Sequence, residues 1–429
     1  MSSHPSDESR YDRTRLTQWY RGRARSAGIE RRALLRLLAS ASVTLPVAAH
    51  TPTAGAAEPT ARTGAPGAAP APGIVKPLPS DVFTVRGTNA ETTFASLRST
   101  GLHTPADHFF VRNHTTTPRI DADEWRLTVW GSGLTGEPLS LGYDELRALP
   151  SVTRTAFVEC AGNGRSFYTT QQNQQVTGTA WTLGAIGVGR WRGVRLADVL
   201  RRAGISRHAV DVMPRGLDDE VISEGVNLGR VRRPLPVAKA LDDVLLAYEM
   251  NGEPLPPDHG FPVRLIVPSW VGVSNIKWLG DIEVSDVPLY SAWNTDLYRL
   301  FGTDYPAGGS APLTRQSLKS AFELEPGATL TAHRREVLTG RSWSGGAPVT
   351  SVDISTDGGV HWRRARLRDA PLRGSWVRWS AEWVPRDRGP AVLLARATDS
   401  SGRRQPEVAV PNTQGYLFDA VVRHPVTVV

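Results

Sequence analysis

The sequence predicts an α+β protein of two folded units: a mixed α/β domain, then a small β-sandwich of roughly immunoglobulin type. Three observations carry that prediction. Between about residues 81 and 310, strand-like and short helical runs interleave without a regular β-α-β rhythm, which disfavours a doubly wound sheet. After about residue 311 the helical signals stop, and strand-like runs follow one another at turn spacing. A length of 429 residues, 40% hydrophobic and 21% charged, gives each unit enough apolar material for its own core.

The chain begins outside either unit. Residues 1–36 hold nine arginines against four acidic residues, so +5 of the formal net charge of +8 sits there. What remains is too dilute for a nucleic-acid footprint, and no nucleic-acid partner is expected. Arg31 and Arg32 precede a modestly apolar stretch with Ala49 and Ala57 as candidate cleavage positions. Residues 1–49 therefore read as a twin-arginine export signal, predicting a periplasmic or otherwise extracytoplasmic protein. Arg36 and Pro46 inside the apolar run argue against a membrane span. Residues 50–80, rich in Ala, Pro, Gly and Thr, read as a disordered linker.

In the first unit, residues 81–310, "DEWRLTVWG" (123–131), "TRTAFVEC" (153–160) and "GFPVRLIVP" (260–268) predict strands. "RLADVLRRAG" (195–204) predicts a short helix stopped by Gly204. "GAIGVG" (184–189) lacks both the phosphate-loop lysine and the dinucleotide-fingerprint spacing, and reads as a turn. In the second unit, residues 311–429, "PVTSVDISTDGGVHWRRARL" (348–367) predicts a hairpin around Asp357-Gly358-Gly359. "SWVRWSAEWVP" (375–385) and "AVLLARATDSSG" (391–402) continue the series. Alternation puts Val377, Trp379, Ala381 and Trp383 on one face and Arg378 on the other, away from its own core.

The chemistry-bearing residues start from the single cysteine. Cys160 lies in "FVECAGNGRSFY" (157–168), where a strand delivers it into a glycine-containing loop, and one cysteine excludes an internal disulfide. Three readings stand for it: a small buried hydrophobe, a nucleophile with His114 or His259 as base, or a thiolate ligand to a metal. "HFFVRNH" (108–114) supplies Arg112, Asn113 and His114. "PPDHGFPVRLIVPSWVGVSNIKW" (256–278) adds His259, Arg264, Ser274, Asn275 and Lys277. Many donors with few acceptors suit a phosphorylated, polyanionic ligand.

Together "HFFVRNH", "ECAGNGR", "LLAYEMNGEPLPPDHGFPVRLIVP", "KWLG" and "SWSGG…VDISTDGGVHW" resemble, in order over about residues 90–425, the sulfite oxidase family of molybdenum enzymes. The resemblance implies that family's molybdopterin-binding domain over 81–310 and its immunoglobulin-like dimerisation domain over 311–429. It implies one molybdenum-molybdopterin per chain, with Cys160 as the protein's ligand to the metal. Phe110, Val111, Arg112, Asn113, His114, Asp218, His259, Arg264, Asn275, Ile276 and Lys277 match positions that hold the pterin and its phosphate. Arg112, Arg165 and Arg378 are implied as the cationic substrate set, with Trp181 as an aromatic wall and Tyr298 as a nearby hydroxyl.

The implied reaction is oxidation of sulfite to sulfate by oxygen-atom transfer. The sequence shows no haem, flavin or nicotinamide segment, so no haem is expected in this chain. Electrons would pass to an external carrier such as a c-type cytochrome, from a homodimer with no membrane span in the mature protein. Two positions depart from the family pattern. Leu297 stands where vertebrate members place an aspartate before the tyrosine, and Thr177 stands where a lysine is expected. Both fall at the mouth of the pocket, so a reductase acting on nitrate or a sulfoxide on the same scaffold is the competing expectation.

Overall fold

The computed structural model describes residues 73–429. The export signal expected over 1–49, and residues 50–72 of the expected linker, lie outside the described residues. Part of 73–80, which composition assigns to that linker, is anchored to the fold. Ile74 and Leu78 join Val82, Phe83, Ala90 and Val111 in a small apolar cluster. The main-chain amides of Val75 and Lys76 both donate to the Asp258 carboxylate at 2.7–3.1 Å. The local reason is the run Ile-Val-Lys-Pro-Leu at 74–78, whose side chains are large enough to repay burial.

The first body is built on two sheets. One runs Leu235–Pro236, Asp211–Gly216, Leu279–Ser285, Arg126–Trp130, Leu139–Gly142 in spatial order. Leu279–Ser285 pairs parallel with Arg126–Trp130 and antiparallel with Asp211–Gly216, a mixed sheet with no β-α-β series. The other sheet runs Glu253–Pro254, Leu245–Met250, Ile186–Arg195, Ser151–Glu159, with Arg264–Ile266 also on Leu245–Met250. Its pairing is long: Ser151 faces Val194 and the register holds to Glu159 opposite Ile186. Residues 184–189, expected as a turn, are therefore where this strand begins.

Covering on both faces explains why Ala156–Glu159 are all buried rather than alternating. Ala156 and Val158 pack with Trp181 and Trp191, while Phe157 packs with Phe94, Trp343 and Trp376. The Leu196–Arg202 helix forms as expected. It buries Leu196, Ala197, Val199 and Leu200, and it stops at Gly204, whose φ of 76° is left-handed.

The C-terminal body is a sandwich of a four-stranded and a five-stranded sheet. Between them pack Phe322, Leu338, Val352, Ile354, Val377, Trp379 and Leu393. The alternation read at 377–383 holds: Val377 and Trp379 point into this core, and Ala381 and Trp383 pack against it. Trp376, on the opposite face, meets the first body instead.

Between Gly389–Asp399 and His424–Val428 the chain leaves the sandwich and returns to the first body. Tyr168 Oη donates to the Val410 and Tyr416 carbonyls at 3.1 Å, and Leu417 N donates to Ala161 O at 2.8 Å. Among the described residues no helix is long and apolar enough to cross a membrane.

Candidate active site

Cys160 closes the Ser151–Glu159 strand, and its surroundings hold it tightly. Its amide donates to Ala185 O at 2.9 Å, and its carbonyl accepts from Asn163 N at 2.9 Å. The Asn163 side chain ties the turn together, donating to Glu159 Oε1 at 2.9 Å and accepting from Ala185 N at 3.0 Å. Gly162 is required by a close approach: a Cβ there would sit 2.5 Å from the Arg165 guanidinium, which folds back over it. Arg165 is fixed by Nε donating to Gln414 O and Nη1 donating to Thr179 O, both at 2.8 Å. The glycine thus makes room for the Arg165 side chain.

On one side of Cys160 lies a cleft lined by Phe110, Arg112, Asn113, His114, Asp218, His259, Arg264, Asn275, Ile276 and Lys277. Segments from 109–114, 258–264 and 272–278 converge here with Asp218, so the structure brings these residues together. Lys277 Nζ donates to Asn113 Oδ1 and to Asp258 O (2.9 Å). Arg264 Nη1 donates to His259 O at 2.9 Å, while its buried Nε has no acceptor among the described residues.

Burial and the neighbouring cations Arg264 and Arg112 hold Lys277 well below its usual pKa, against the pull of Asp258 and Asp218. His259 and His114 are likewise depressed by burial and nearby cations, and burial alone brings Arg264 down to about 9. Burial lifts Asp218 to about 6 against the pull of Lys277. Such a concentration of strained, buried donors is what a bound polyanion relieves.

On the other side of Cys160 opens a vestibule of about 350 Å³, lined by Arg112, Arg165, Trp181 and Tyr298 together with Trp293, Leu297, Gln414 and Tyr416. All hydrogen bonds of Arg112 and Arg165 among the described residues go to main-chain carbonyls, so no carboxylate cancels their charge. Trp181 Nε1 is buried without an acceptor among the described residues. Tyr298 stacks on Tyr416 with centroids 5.2 Å apart, and its hydroxyl is 3.4 Å from His114 Nε2. Burial raises the Tyr298 pKa despite the nearby arginines, so the phenol stays protonated near neutrality. Leu297 and Thr177, the two departures, both line this vestibule.

Two expected residues fall elsewhere. The Val111 side chain is fully buried in the small N-terminal cluster, and its main chain pairs with Ala90 rather than facing the cleft. Arg378 lies outside both cavities: Nη2 bonds Asp369 Oδ1 at 2.7 Å and Nη1 reaches Thr100 O at 3.4 Å. Alternation placed it correctly away from its own core, but the surface it meets is the ion-pair partner Asp369.

The sequence also missed residues. Lys76 sits 3.5 Å from His259 Nε2, and burial pushes its pKa down to about 7 against the pull of Asp258 and Asp107. Its only sequence signal was the apolar run around it. Gln414 and Tyr416 come from the returning C-terminal segment, which no local pattern marks.

The donor set fits a molybdopterin. A soft thiolate at Cys160 suits a high-valent metal, and the cationic cleft with the unpartnered Arg264 Nε suits the pterin and its phosphate. Comparison with known proteins agrees. Residues 114–293 match the family model "Oxidoreductase molybdopterin binding domain", and residues 322–428 match "Mo-co oxidoreductase dimerisation domain". The chain is 37% identical over 335 residues to a mitochondrial sulfite oxidase of Macaca fascicularis, covering 74% of this chain and 60% of that protein. It is also 37% identical to a Gallus gallus sulfite oxidase, covering 77% of this chain and 74% of that protein. An NADH nitrate reductase of Ulva prolifera is 30% identical over 75% of this chain and 40% of its own length. The chain thus spans about 60% of the length of the mammalian relatives. Among solved structures, the sulfane dehydrogenase SoxCD of Paracoccus pantotrophus superposes with a TM-score of 0.67 at 28% identity, over 78% of this chain and 82% of that one. The chain belongs to the sulfite oxidase family of molybdopterin-dependent oxidoreductases.

Proposed function

We propose that this enzyme oxidises sulfite to sulfate at a molybdenum held by Cys160 and passes the electrons to an external carrier. The observation that carries the reading is that Cys160 floors two cavities of different chemistry. One offers buried donors for a phosphorylated pterin, the other a two-arginine anion subsite. When bound, the cofactor supplies two-electron oxygen-atom transfer.

The chain's own residues do the rest. Arg112 and Arg165 bind and orient a small oxyanion, with Trp181 Nε1 as a further donor. Tyr298 keeps its proton beside His114, whose depressed pKa leaves the imidazole neutral as the acceptor for that hydroxyl. Arg165→Gln is expected to raise KM for sulfite and lower kcat/KM by about 10- to 100-fold, the loss of one charge-assisted hydrogen bond. Steady-state kinetics of the molybdenum-loaded enzyme with cytochrome c as acceptor checks this. Wild-type kcat/KM in that variant would remove Arg165 from the subsite.

Further parts of the reading are a homodimer formed through the 322–428 domain, export, and a c-type cytochrome as acceptor; the domain match supports the first. Nitrate reduction is the competing reading, favoured by the algal relative. Turnover of nitrate and not of sulfite by the loaded enzyme would decide for it.

Cofactor retention should depend on pH. Phosphate favours the protonated forms of Lys76, Lys277 and His259, so binding raises their pKa values and takes up protons. For Lys76, at about 7 before binding, that uptake is paid increasingly as the solution pH rises above 7. Retained pterin, read by fluorescence after gel filtration, is expected to fall between about pH 7 and about pH 9. A flat profile over that range would count against the assignment of this cluster to the phosphate.

A further inference from the structure

The vestibule holds more space than sulfite requires, and its fixed charge is confined to one end. A four-heavy-atom anion occupies two to three water volumes, roughly 60–90 Å³, against about 350 Å³ here. Among the described residues, fixed positive charge lies at the buried end alone, on Arg112 and Arg165, beside the indole N–H of Trp181, which has no acceptor among them. Beyond that end Val221, Leu228 and Leu297 form an apolar patch on a wall that also carries Thr177, Thr179, Ser223 and Gln414. Val221 and Leu228 stand side by side on one hairpin stem, where Leu228 N donates to Val221 O at 2.8 Å, and Leu297 closes the wall from a separate element. Among the described residues no acidic side chain lines the cavity.

We infer that the vestibule accepts organic sulfinates, R–SO2⁻, and that the enzyme oxidises them to sulfonates. This rests on the sulfite reading of the same site. A sulfinate keeps the two features the buried end can use, a sulfur lone pair and anionic oxygens. It replaces one oxygen by a carbon substituent, which the apolar patch accommodates. A sulfoxide lacks the charge, and a sulfonate lacks the lone pair. The overall change is R–SO2⁻ + H2O → R–SO3⁻ + 2 H⁺ + 2 e⁻. One S–O bond forms at the lone pair, the S–C bond stays intact, the oxygen comes from water, and two equivalents of a one-electron acceptor take the electrons.

The test uses the molybdenum-loaded enzyme with ferricyanide and compares sulfite, methanesulfinate and benzenesulfinate. Benzenesulfinate is expected to be turned over with kcat/KM at least about tenfold above methanesulfinate, because the ring reaches the apolar patch. The sulfonate formed in ¹⁸O-water should carry label. Independently of turnover, calorimetry should show benzenesulfonate binding at least about tenfold more tightly than sulfate. Leu228→Asp and, separately, Val221→Asp should lower the benzenesulfinate-to-sulfite ratio of kcat/KM at least about tenfold. Sulfite turnover without sulfinate turnover and without the binding preference overturns this inference and leaves the sulfite reading standing. Turnover of neither by the loaded enzyme overturns both.

Discussion

Cys160→Ser is expected to lower sulfite-dependent turnover by more than roughly 100-fold, the upper end of what loss of a single outer-shell partner costs a metal site, while the protein stays folded. The thiol is only 7% exposed and packs among Val158, Trp181 and Ala185, so the near-isosteric serine disturbs little volume. The main-chain bonds to Ala185 and Asn163 do not involve the side chain and remain. What changes is the donor atom: a hard, protonated hydroxyl replaces a soft thiolate. The residues proposed to hold the pterin are others, so pterin retention should match the wild type. Turnover equal to the wild type in a variant loaded to the same extent would show that Cys160 is not the ligand. Reduced pterin retention with an unchanged thermal midpoint would mean that the cysteine also anchors the cofactor.

The cleft was legible to the degree that its residues lie in short, patterned segments. Arg112, Asn113 and His114 follow an aromatic run, Cys160 ends a strand, and His259, Arg264, Asn275 and Lys277 sit within one 19-residue stretch. The structure brings all of them to one cleft. Lys76 was lost to composition, because an Ala/Pro-rich stretch hides a packed lysine whose partner His259 lies 183 positions away. Gln414 and Tyr416 were lost for a different reason. They belong to a strandless segment that leaves one domain to complete the site of another, and only tertiary packing reports such a return. Arg378 shows the limit of alternation. Period two says which face a side chain takes, and it is silent on whether that face meets an anion site or an aspartate nine residues back.

The pairing that joins the two bodies under the cysteine gives the largest expected effect on stability. Glu159, directly before Cys160, and Lys319, on the first strand of the sandwich, are both buried and bond at 2.9 Å between Oε1 and Nζ. Lys319 also donates to Ser317 Oγ at 2.7 Å, and Glu159 Oε1 accepts from Asn163 Nδ2 at 2.9 Å, while Glu159 Oε2 has no hydrogen-bond partner among the described residues. Lys319→Met leaves that carboxylate buried and unpaired, and is expected to cost about 3–5 kcal/mol. The double variant Glu159→Gln, Lys319→Met removes both charges and should recover most of the loss, because a buried ion pair contributes little net stability over an uncharged pair of similar size. Urea midpoints of the two single variants and the double complete the cycle, whose coupling term isolates the pair. A Lys319→Met midpoint equal to the wild type would mean that the carboxylate finds another partner. The double variant carries a second, chemical readout. Asn163 would bond a neutral amide instead of a carboxylate, so if the pair also sets the position of the cysteine loop, sulfite kcat should fall even where stability is restored.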